Sequence, residues 1–278
     1  MKQVSLIQLE LKMSSLRKTL NRFVKLAGYQ IERTDPSARF FRASTDYNEQ
    51  MTRKIAADLG GAVQGGVFKG LKLIPNTSWS ASDLVAKLLG SYEEELHPAI
   101  AQVVAQQPDC IVNVGCADGY YAVGLRRLLP EAEVYAFDID PRAQREVEET
   151  QALNGVSVHF RARFDCAEPL TEFMAYAKPF FVFDCEGYEQ HIPQMPPELV
   201  ARSTFLIETH DLFVPGVTAR LVEFLHPTHE VSVISEGARN PHLYPALQNL
   251  GSLEKYLMLC EFRGPGGNQW IYAKPQGA

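Results

Sequence analysis

The segment Cys110-Ile-Val-Asn-Val-Gly-Cys-Ala-Asp-Gly119 is followed by a second apolar run, Val134-Tyr-Ala-Phe-Asp-Ile-Asp-Pro141. An apolar run, a turn of small residues, a helical segment and a second run ending in an acid are typical of a nucleotide-binding βαβ unit. Gly115 and Gly119 lack a β-carbon, so the backbone can turn sharply and approach a ligand closely. Asp138 lies 23 residues after Gly115, where a carboxylate can accept both hydroxyls of an adenosine ribose. The segment therefore predicts a site for an adenosine-containing ligand.

The residues of the turn narrow the choice of ligand. Tyr120 stands where a dinucleotide-binding turn carries its third glycine, which argues against a nicotinamide-dependent oxidoreductase. The turn instead resembles the first motif of class I S-adenosylmethionine-dependent methyltransferases. Two positions depart from that motif: Asn113 replaces an acid and Ala117 replaces the middle glycine. The resemblance implies S-adenosylmethionine as the cofactor, bound by Asn113, Gly115, Cys116, Ala117, Gly119 and Asp138.

Composition indicates a globular protein and limits its partners. Of 278 residues, 46% are hydrophobic and 22% are charged. The formal net charge of −6 argues against nucleic acid as the main partner, because phosphate binding needs a concentrated basic surface. Five cysteines show no zinc-site spacing, and their odd number favours reduced thiols and a cytoplasmic location.

Residues 4–30 have the pattern of a basic amphipathic helix. The apolar positions alternate in steps of four and three: Leu9, Met13, Leu16, Leu20, Phe23 and Ala27. No run approaches the roughly 20 apolar residues that a membrane span requires. Such a helix can pair with its copy in a homodimer, lie on an anionic surface or pack on its own chain. We assign residues 1–59 to an N-terminal helical extension and residues 60–278 to the ligand-binding domain.

Strands and helices alternate along the larger domain. A polar stretch, residues 33–48, precedes a helix predicted around residues 49–59, and further helices are predicted from Asp83 to a stop at Gly90 and over residues 92–106. The predicted strands are 110–114, 133–138, 156–160, 179–184, 203–208, 230–234 and 269–273. Several are continuously apolar, as expected of strands covered on both faces. The fold class is therefore α/β: a Rossmann-like, mainly parallel seven-stranded sheet, whose last strand, by resemblance to class I methyltransferases, inserts antiparallel.

A second cluster of acids follows the fourth predicted strand. Asp184, Glu186 and Glu189 surround Gly187 in the segment Phe183-Asp-Cys-Glu-Gly-Tyr-Glu189. This segment resembles the Asp-x-Glu-Gly-x-Glu motif of FkbM-type methyltransferases. Two further matches to that family are Gly90 with Tyr92 and Glu93, and Glu208 with His210 and Asp211. The resemblance covers roughly residues 66–275.

These motifs suggest residues for the chemistry. His210 is the preferred general base and Asp184 the second candidate, with Glu208 beside them, because a hydroxyl must lose its proton to become a good nucleophile. Alternatively, Asp184, Glu208 and Asp211 offer oxygen ligands for Mg²⁺. On the cofactor side, Asp165 follows the third strand and is expected near the adenine, with Asp184 also near the cofactor. By resemblance, Tyr92 and Glu93 close over the amino-acid end of the cofactor.

The resemblance implies O-methylation of a hydroxyl group on a sugar or a natural-product-type small molecule. The alternative is a catalytically silent methyltransferase-fold domain that acts as a binding or interaction module. Asn113, which replaces the usual acid, and the basic N-terminal helix are the features that keep this alternative open.

Overall fold

A computed structural model describes residues 36–75, 77, 83–261, 263 and 268–277. The amphipathic pattern of residues 4–30 lies outside the described residues. The chain divides into two units between Tyr47 and Asn48, and the sheet and candidate site belong to the second unit.

Seven strands of the described chain form one sheet in the order β3-β2-β1-β4-β5-β7-β6. The strands are β1 (Cys110–Val114), β2 (Glu133–Phe137), β3 (His159–Arg161), β4 (Pro179–Phe183), β5 (Thr204–Thr209), β6 (His229–Ser235) and β7 (Gln269–Pro275). The pairs from β3 to β5 are parallel, whereas β7 runs antiparallel between β5 and β6. The predicted fold class is therefore confirmed, including the antiparallel last strand.

Helices α3, α4 and α5 cover one face of this sheet, and α6 and α7 cover the other. The α-helices of the described chain are α1 (Pro36–Asp58), α2 (Leu84–Leu89), α3 (His97–Gln106), α4 (Tyr120–Leu128), α5 (Pro141–Asn154), α6 (Pro197–Arg202), α7 (Val217–Leu225) and α8 (Ser252–Met258), with short 3₁₀ helices between some of them. Helix α2 ends as predicted at Gly90, whose left-handed backbone lets its N–H reach the carbonyls of Ala86 and Lys87.

Two predicted helix starts are wrong. Helix α1 begins at Pro36, whereas a polar stretch was expected up to residue 48. Proline suits a first helical position, and neither Gly nor Pro interrupts residues 37–58, so polarity alone does not stop the helix. The helix expected from Tyr92 begins as an α-helix only at His97, after a 3₁₀ turn over Glu94–Leu96. The left-handed backbone of Glu93 separates this turn from the preceding chain.

Two apolar layers cover the faces of the sheet, and a smaller apolar cluster of the described residues includes Val85, Leu89 and Met258. Side chains alternate across the central strands: Ile111 belongs to the layer beneath α3, α4 and α5, and Val112 to the layer beneath α6 and α7. Every residue of β1, β4 and β5 is buried. This explains why apolar residues occupy consecutive positions in these strands rather than alternate ones.

The parallel strands bring their carboxyl ends to one edge of the sheet. Gly115 follows β1, Asp138 follows β2, Asp184 follows β4, and Glu208 lies near the end of β5. Residues that are far apart in sequence therefore meet at this edge, where ligands of open α/β sheets bind.

No helix of the described chain is both long and apolar enough to cross a membrane.

A first prediction concerns Gly115, which has a φ of +80°. A β-carbon there would lie 1.7 Å from the carbonyl oxygen of Asp184. We expect Gly115→Ala to lower the free energy of unfolding by about 4 kcal/mol or more, because two backbones would have to separate. Gly155 is the matched control, since its φ is +64° and nothing lies within 4 Å of the added carbon. Gly155→Ala should cost only about 1–2 kcal/mol. Urea unfolding measures both, and equal losses would contradict the proposed close approach.

Candidate active site

The turn of small residues at 115–119, here called the bend, contacts Asp138 at the end of β2, as predicted. The amide of Ala117 donates a hydrogen bond of 3.0 Å to Oδ2 of Asp138. Asp138 is half-buried, and its Oδ1 accepts a bond of 2.9 Å from the amide of Asp140. Carboxylate oxygens have further lone pairs, so the carboxylate remains able to accept ligand hydroxyls.

The backbone of the bend is directed mainly toward β2. The amides of Gly115 and Cys116 both donate to the carbonyl of Phe137, at 2.8 and 3.0 Å. These N–H groups are therefore not available to a ligand, and contacts from residues 115 and 116 are limited to their carbonyl oxygens and side chains. Ala117 adopts a φ of +47° and Gly119 a φ of +83°. The alanine in the middle-glycine position is thus held in a left-handed conformation that normally costs about 1 kcal/mol or more.

Asn113 is a buried amide without a partner. Its side chain is 1% exposed, and neither Oδ1 nor Nδ2 has a hydrogen-bond partner among the described residues. It lies on β1 in register with Ala136 and Val182, which offer no side-chain partner. Leaving such groups unpaired costs free energy, so unsatisfied buried amides are uncommon outside functional sites.

Ile139, which we did not select from the sequence, is the most exposed of the large hydrophobic side chains in the described chain. It directly follows Asp138 and is 86% exposed. An apolar side chain beside Asp138, the acid predicted to bind a ribose, offers a surface for a flat apolar group such as a purine. The sequence feature that could have revealed it is an apolar residue between the two acids at the end of β2.

The Asp165 carboxylate bonds to residues of its own turn. Its Oδ1 accepts a bond of 3.0 Å from the amide of Ala167, and its Oδ2 lies 3.1 Å from Nη2 of Arg163. The carboxylate thus stabilises its own turn, and its expected contact with adenine stays a prediction.

The acids after β4 and β5 gather around His210. The Nε2 atom of His210 lies 3.9 Å from Oδ1 of Asp184, 3.8 Å from Oε2 of Glu208 and 3.5 Å from Oε2 of Glu186. Glu186 is largely exposed, whereas His210 and Glu208 are buried. The three residues chosen as catalytic from the sequence therefore lie together.

Glu189 fixes the position of the histidine from below. This fully buried carboxylate accepts a bond of 2.9 Å from the amide of His210, and its Oε1 lies 3.2 Å from Nδ1 of the same residue. Its other oxygen accepts a bond from the amide of Gly187 at 2.8 Å. Glu189 thereby ties the β4 loop to the β5 loop.

Asp211 does not join this group, although it was expected among the metal ligands. Its carboxylate accepts bonds from the amide of Gly216 at 2.8 Å and from the hydroxyl of Thr218. These residues begin α7, where a carboxylate is favoured by the unpaired N–H groups of the helix. The described residues able to hold a metal ion are Asp184, Glu208 and His210, whose ligand atoms lie within 4.8 Å of one another.

A buried arginine connects this group to Glu93. Arg263 contacts Oε1 of Glu208, and its Nη2 lies 2.7 Å from Oε1 of Glu93 and 2.9 Å from Oε2 of Glu261. The Tyr121 hydroxyl donates to the other oxygen of Glu93. Both oxygens of Glu93 thus have protein partners. The sequence did not reveal Arg263, because it lies outside every motif.

The concentration of acids shifts the pKa values of this group. Burial and the negative charge of Glu208 raise the pKa of Glu93 to about 8, despite the neighbouring arginine. Burial and Glu208 also raise the pKa of Asp184 well above its ordinary value. For Glu208 itself, burial is outweighed by the hydrogen bond from Asp184 and by Arg263, so its pKa is lowered.

The pKa of His210 is raised. Burial favours the neutral ring, but the contact with Glu189 and the charge of Glu208 outweigh it. The ring is consequently a stronger proton acceptor than an ordinary histidine.

A second buried ion pair lies beneath the bend. Nζ of Lys87 is 2.7 Å from Oδ2 of Asp118 and 5.1 and 5.3 Å from the ring centres of Tyr92 and Tyr120. The two rings meet edge to face at 5.5 Å. Tyr92 thus packs against α4 and the bend, and its predicted closure over a cofactor stays untested. The sequence did not reveal Lys87 because charged residues on a short helix are usually exposed.

Comparisons with known proteins give only distant matches. No family model matches the chain. A release factor glutamine methyltransferase of Deinococcus radiodurans is 35% identical over 65 residues, which is 23% of each chain. The chain thus matches less than a quarter of the length of that curated relative.

Among solved structures, a precorrin-6y C5,15-methyltransferase from Geobacter metallireducens aligns at 12% identity and a TM-score of 0.43, over 64% of this chain and 87% of the other. A putative O-methyltransferase from Klebsiella pneumoniae aligns at 12% identity and a TM-score of 0.40, over 95% and 99%. An rRNA methylase from Streptococcus thermophilus aligns at 13% identity and a TM-score of 0.42, over 65% and 96%. Similarities this low assign no activity.

A second prediction follows from the raised pKa of Glu93. The folded state holds a proton on this carboxyl from its ordinary pKa of 4.5 up to about 8. This contribution to stability is complete below pH 4.5 and decreases as the pH rises toward 8, by at most about 1.4 kcal/mol per pH unit. Urea unfolding between pH 5 and 8 should therefore show a flatter pH dependence for Glu93→Gln than for the wild type.

The control for this measurement is Glu223→Gln, which changes an exposed carboxylate on α7. It should leave the slope of the wild type unchanged. Equal slopes for the wild type and Glu93→Gln would show that Glu93 is ionised throughout this range.

Proposed function

We propose that this protein is an S-adenosylmethionine-dependent methyltransferase that acts on a hydroxyl group. The observation that carries the proposal is the meeting of the bend at residues 115–119 with Asp138, through the bond from the Ala117 amide. The two lie at the carboxyl ends of neighbouring parallel strands, the position where such sheets bind nucleotides. The motif resemblance to FkbM-type enzymes supports the same function.

The residues at the bend fit an adenosyl ligand. Asp138 retains lone pairs for ribose hydroxyls, and exposed Ile139 offers an apolar surface next to it. The Asn113 amide lacks a hydrogen-bond partner among the residues that the structure describes, and a polar ligand group would satisfy it. The amides of Gly115 and Cys116 play no part, since they donate to Phe137.

When bound, S-adenosylmethionine supplies a methyl group that is already activated as part of a sulfonium. The protein must then position the acceptor hydroxyl and remove its proton. Nε2 of His210 is directed toward Asp184 and Glu208, and Glu189 holds the ring from the opposite side. We assign His210 as the group that takes the proton, with Asp184 as the second candidate.

The acceptor class is proposed from the resemblance alone: a sugar or another small hydroxylated molecule. The net charge of −6 favours such an acceptor over nucleic acid. The catalytically silent alternative makes a distinct prediction, which is cofactor binding without turnover on any member of a panel of hydroxylated compounds.

A third prediction tests the ribose assignment. We expect Asp138→Ala to weaken the binding of S-adenosylhomocysteine at least tenfold. The change removes the acceptor of hydrogen bonds from two ribose hydroxyls, each worth about 1 kcal/mol. Asp140→Asn is the control: it removes a charge two residues away, and an asparagine still caps α5. It should change affinity less than threefold. Isothermal titration calorimetry measures both, and unchanged affinity in Asp138→Ala would refute the assignment.

A fourth prediction concerns the unpartnered amide of Asn113. Asn113→Val should raise the free energy of unfolding of the ligand-free protein by about 1 kcal/mol, because a desolvated amide is replaced by an apolar group. The same change should weaken S-adenosylhomocysteine binding at least fivefold. Asn154→Val is the control of opposite sign, since the Asn154 side chain bonds to Lys72 and Thr150 and its loss should destabilise the protein. If Asn113→Val lowered the free energy of unfolding and left S-adenosylhomocysteine binding unchanged, the amide would stabilise the fold and not bind the cofactor.

A further inference from the structure

We propose that Asp184, Glu208 and His210 form a binding site for a divalent transition-metal ion, with Mn²⁺ or Zn²⁺ preferred over Mg²⁺. The binding itself does not depend on the function proposed above. Only the role of the ion in catalysis rests on that function.

The geometry brings three ligand atoms around one point. Nε2 of His210 lies 3.9 Å from Oδ1 of Asp184 and 3.8 Å from Oε2 of Glu208, and all three atoms lie within 4.8 Å of one another. The two separations from Nε2 of His210 are too long for hydrogen bonds. Metal–ligand bonds of about 2.1 Å require each atom to move inward by roughly half an ångström. Small side-chain rotations achieve this.

The imidazole nitrogen that faces this point belongs to a buried side chain and has carboxylate oxygens around it. His210 is 4% exposed, and the nearest oxygens to Nε2 belong to Asp184, Glu208 and Glu186, at 3.5–3.9 Å. The atoms that face one another are thus electron-pair donors, and only a cation or a proton between them makes the arrangement favourable. A metal ion satisfies the nitrogen and two carboxylates at once, which one proton cannot do.

In two of the three ligands, His210 and Glu208, the polar atom that points away from the proposed ion contacts another residue. Nδ1 of His210 lies 3.2 Å from buried Glu189, which favours the tautomer that leaves the Nε2 lone pair free. Oε1 of Glu208 contacts Arg263 and accepts a bond of 2.6 Å from Asn268, so Oε2 is the oxygen left for a ligand. A histidine and a carboxylate oriented in this way are common around protein-bound metals.

The ligand types decide which ion is preferred. Mg²⁺ binds mainly carboxylates, phosphates and water, whereas imidazole nitrogen suits Zn²⁺, Fe²⁺ and Mn²⁺. The set expected from the sequence, Asp184 with Glu208 and Asp211, was purely oxygen. The structure replaces Asp211 by His210, because the Asp211 carboxylate caps α7. Three protein ligands leave at least one coordination position for a hydroxyl oxygen, whose pKa the ion would lower. With the ion bound, Nε2 of His210 is a ligand, so the ion replaces His210 as the group that activates this hydroxyl.

Binding of Mn²⁺ to the EDTA-treated full chain tests the site. Electron paramagnetic resonance of free Mn²⁺ should show one bound ion per chain, with a dissociation constant below about 100 μM. Equimolar Zn²⁺ should displace the bound ion, and a tenfold excess of Mg²⁺ should not. Failure of wild-type protein to bind Mn²⁺ at concentrations up to 1 mM, or displacement by equimolar Mg²⁺, would overturn the proposal.

Two variants locate the ion. His210→Asn keeps an N–H donor near Glu189 but lacks Nε2, and Asp184→Asn removes the charge of a partly exposed ligand. Each should weaken Mn²⁺ binding at least tenfold. Glu223→Gln, on an exposed surface of α7, should have no effect. Wild-type affinity in either ligand variant overturns the site. Circular dichroism confirms folding, so that one variant remains informative if the other unfolds.

Parallel titrations with S-adenosylhomocysteine separate this inference from the proposed function. If Mn²⁺ fails to bind while S-adenosylhomocysteine binds, the metal site is wrong and the methyltransferase proposal stands. If Mn²⁺ binds at these residues while S-adenosylhomocysteine does not, the metal site stands without the proposed reaction.

Discussion

The contact between Gly115 and the backbone of Asp184 is the constraint on which the site depends. Here β1 and β4 approach so closely that any side chain at position 115 would overlap the Asp184 carbonyl, and the Asp184 amide donates a bond of 2.9 Å to Val114. This approach places the bend and the acids after β4 side by side. The proposed cofactor region and the proposed acceptor region are therefore neighbours because of how two strands pack, before any ligand is considered.

Buried charge is the second theme of the structure. Glu93, Glu208 and Glu261 surround Arg263, while Lys87 pairs with Asp118 below the bend. Buried ion pairs often add little net stability, since desolvation offsets their attraction. These ion pairs instead fix the orientation of the carboxylates. Glu208 in particular is held so that one of its oxygens faces His210. The network thus orients the site more than it stabilises the fold.

Much of the architecture could be predicted from the sequence, and the reasons are physical. Continuous apolar runs marked β1, β4 and β5 because both faces of these strands are buried. The start of α1 was missed because a polar segment without Gly or Pro forms a helix as readily as an apolar one. The convergence of Asp184, Glu208 and His210 was predictable from strand ends alone. By contrast, Arg263 and Lys87 reach the site through tertiary contacts, which no local sequence pattern predicts. The choice between His210 and Asp211 as the third metal ligand was equally unpredictable, because it depends on which side chain caps the next helix, α7.

The position of β7 between β5 and β6 has a consequence for how the protein is made. During synthesis β5 and β6 emerge from the ribosome first, yet they do not pair with each other and share β7 as their partner. Until residues 269–275 have been translated, β5 presents an open edge that another chain could join. Premature termination in this last stretch would therefore yield a chain with an exposed strand edge that is prone to aggregate.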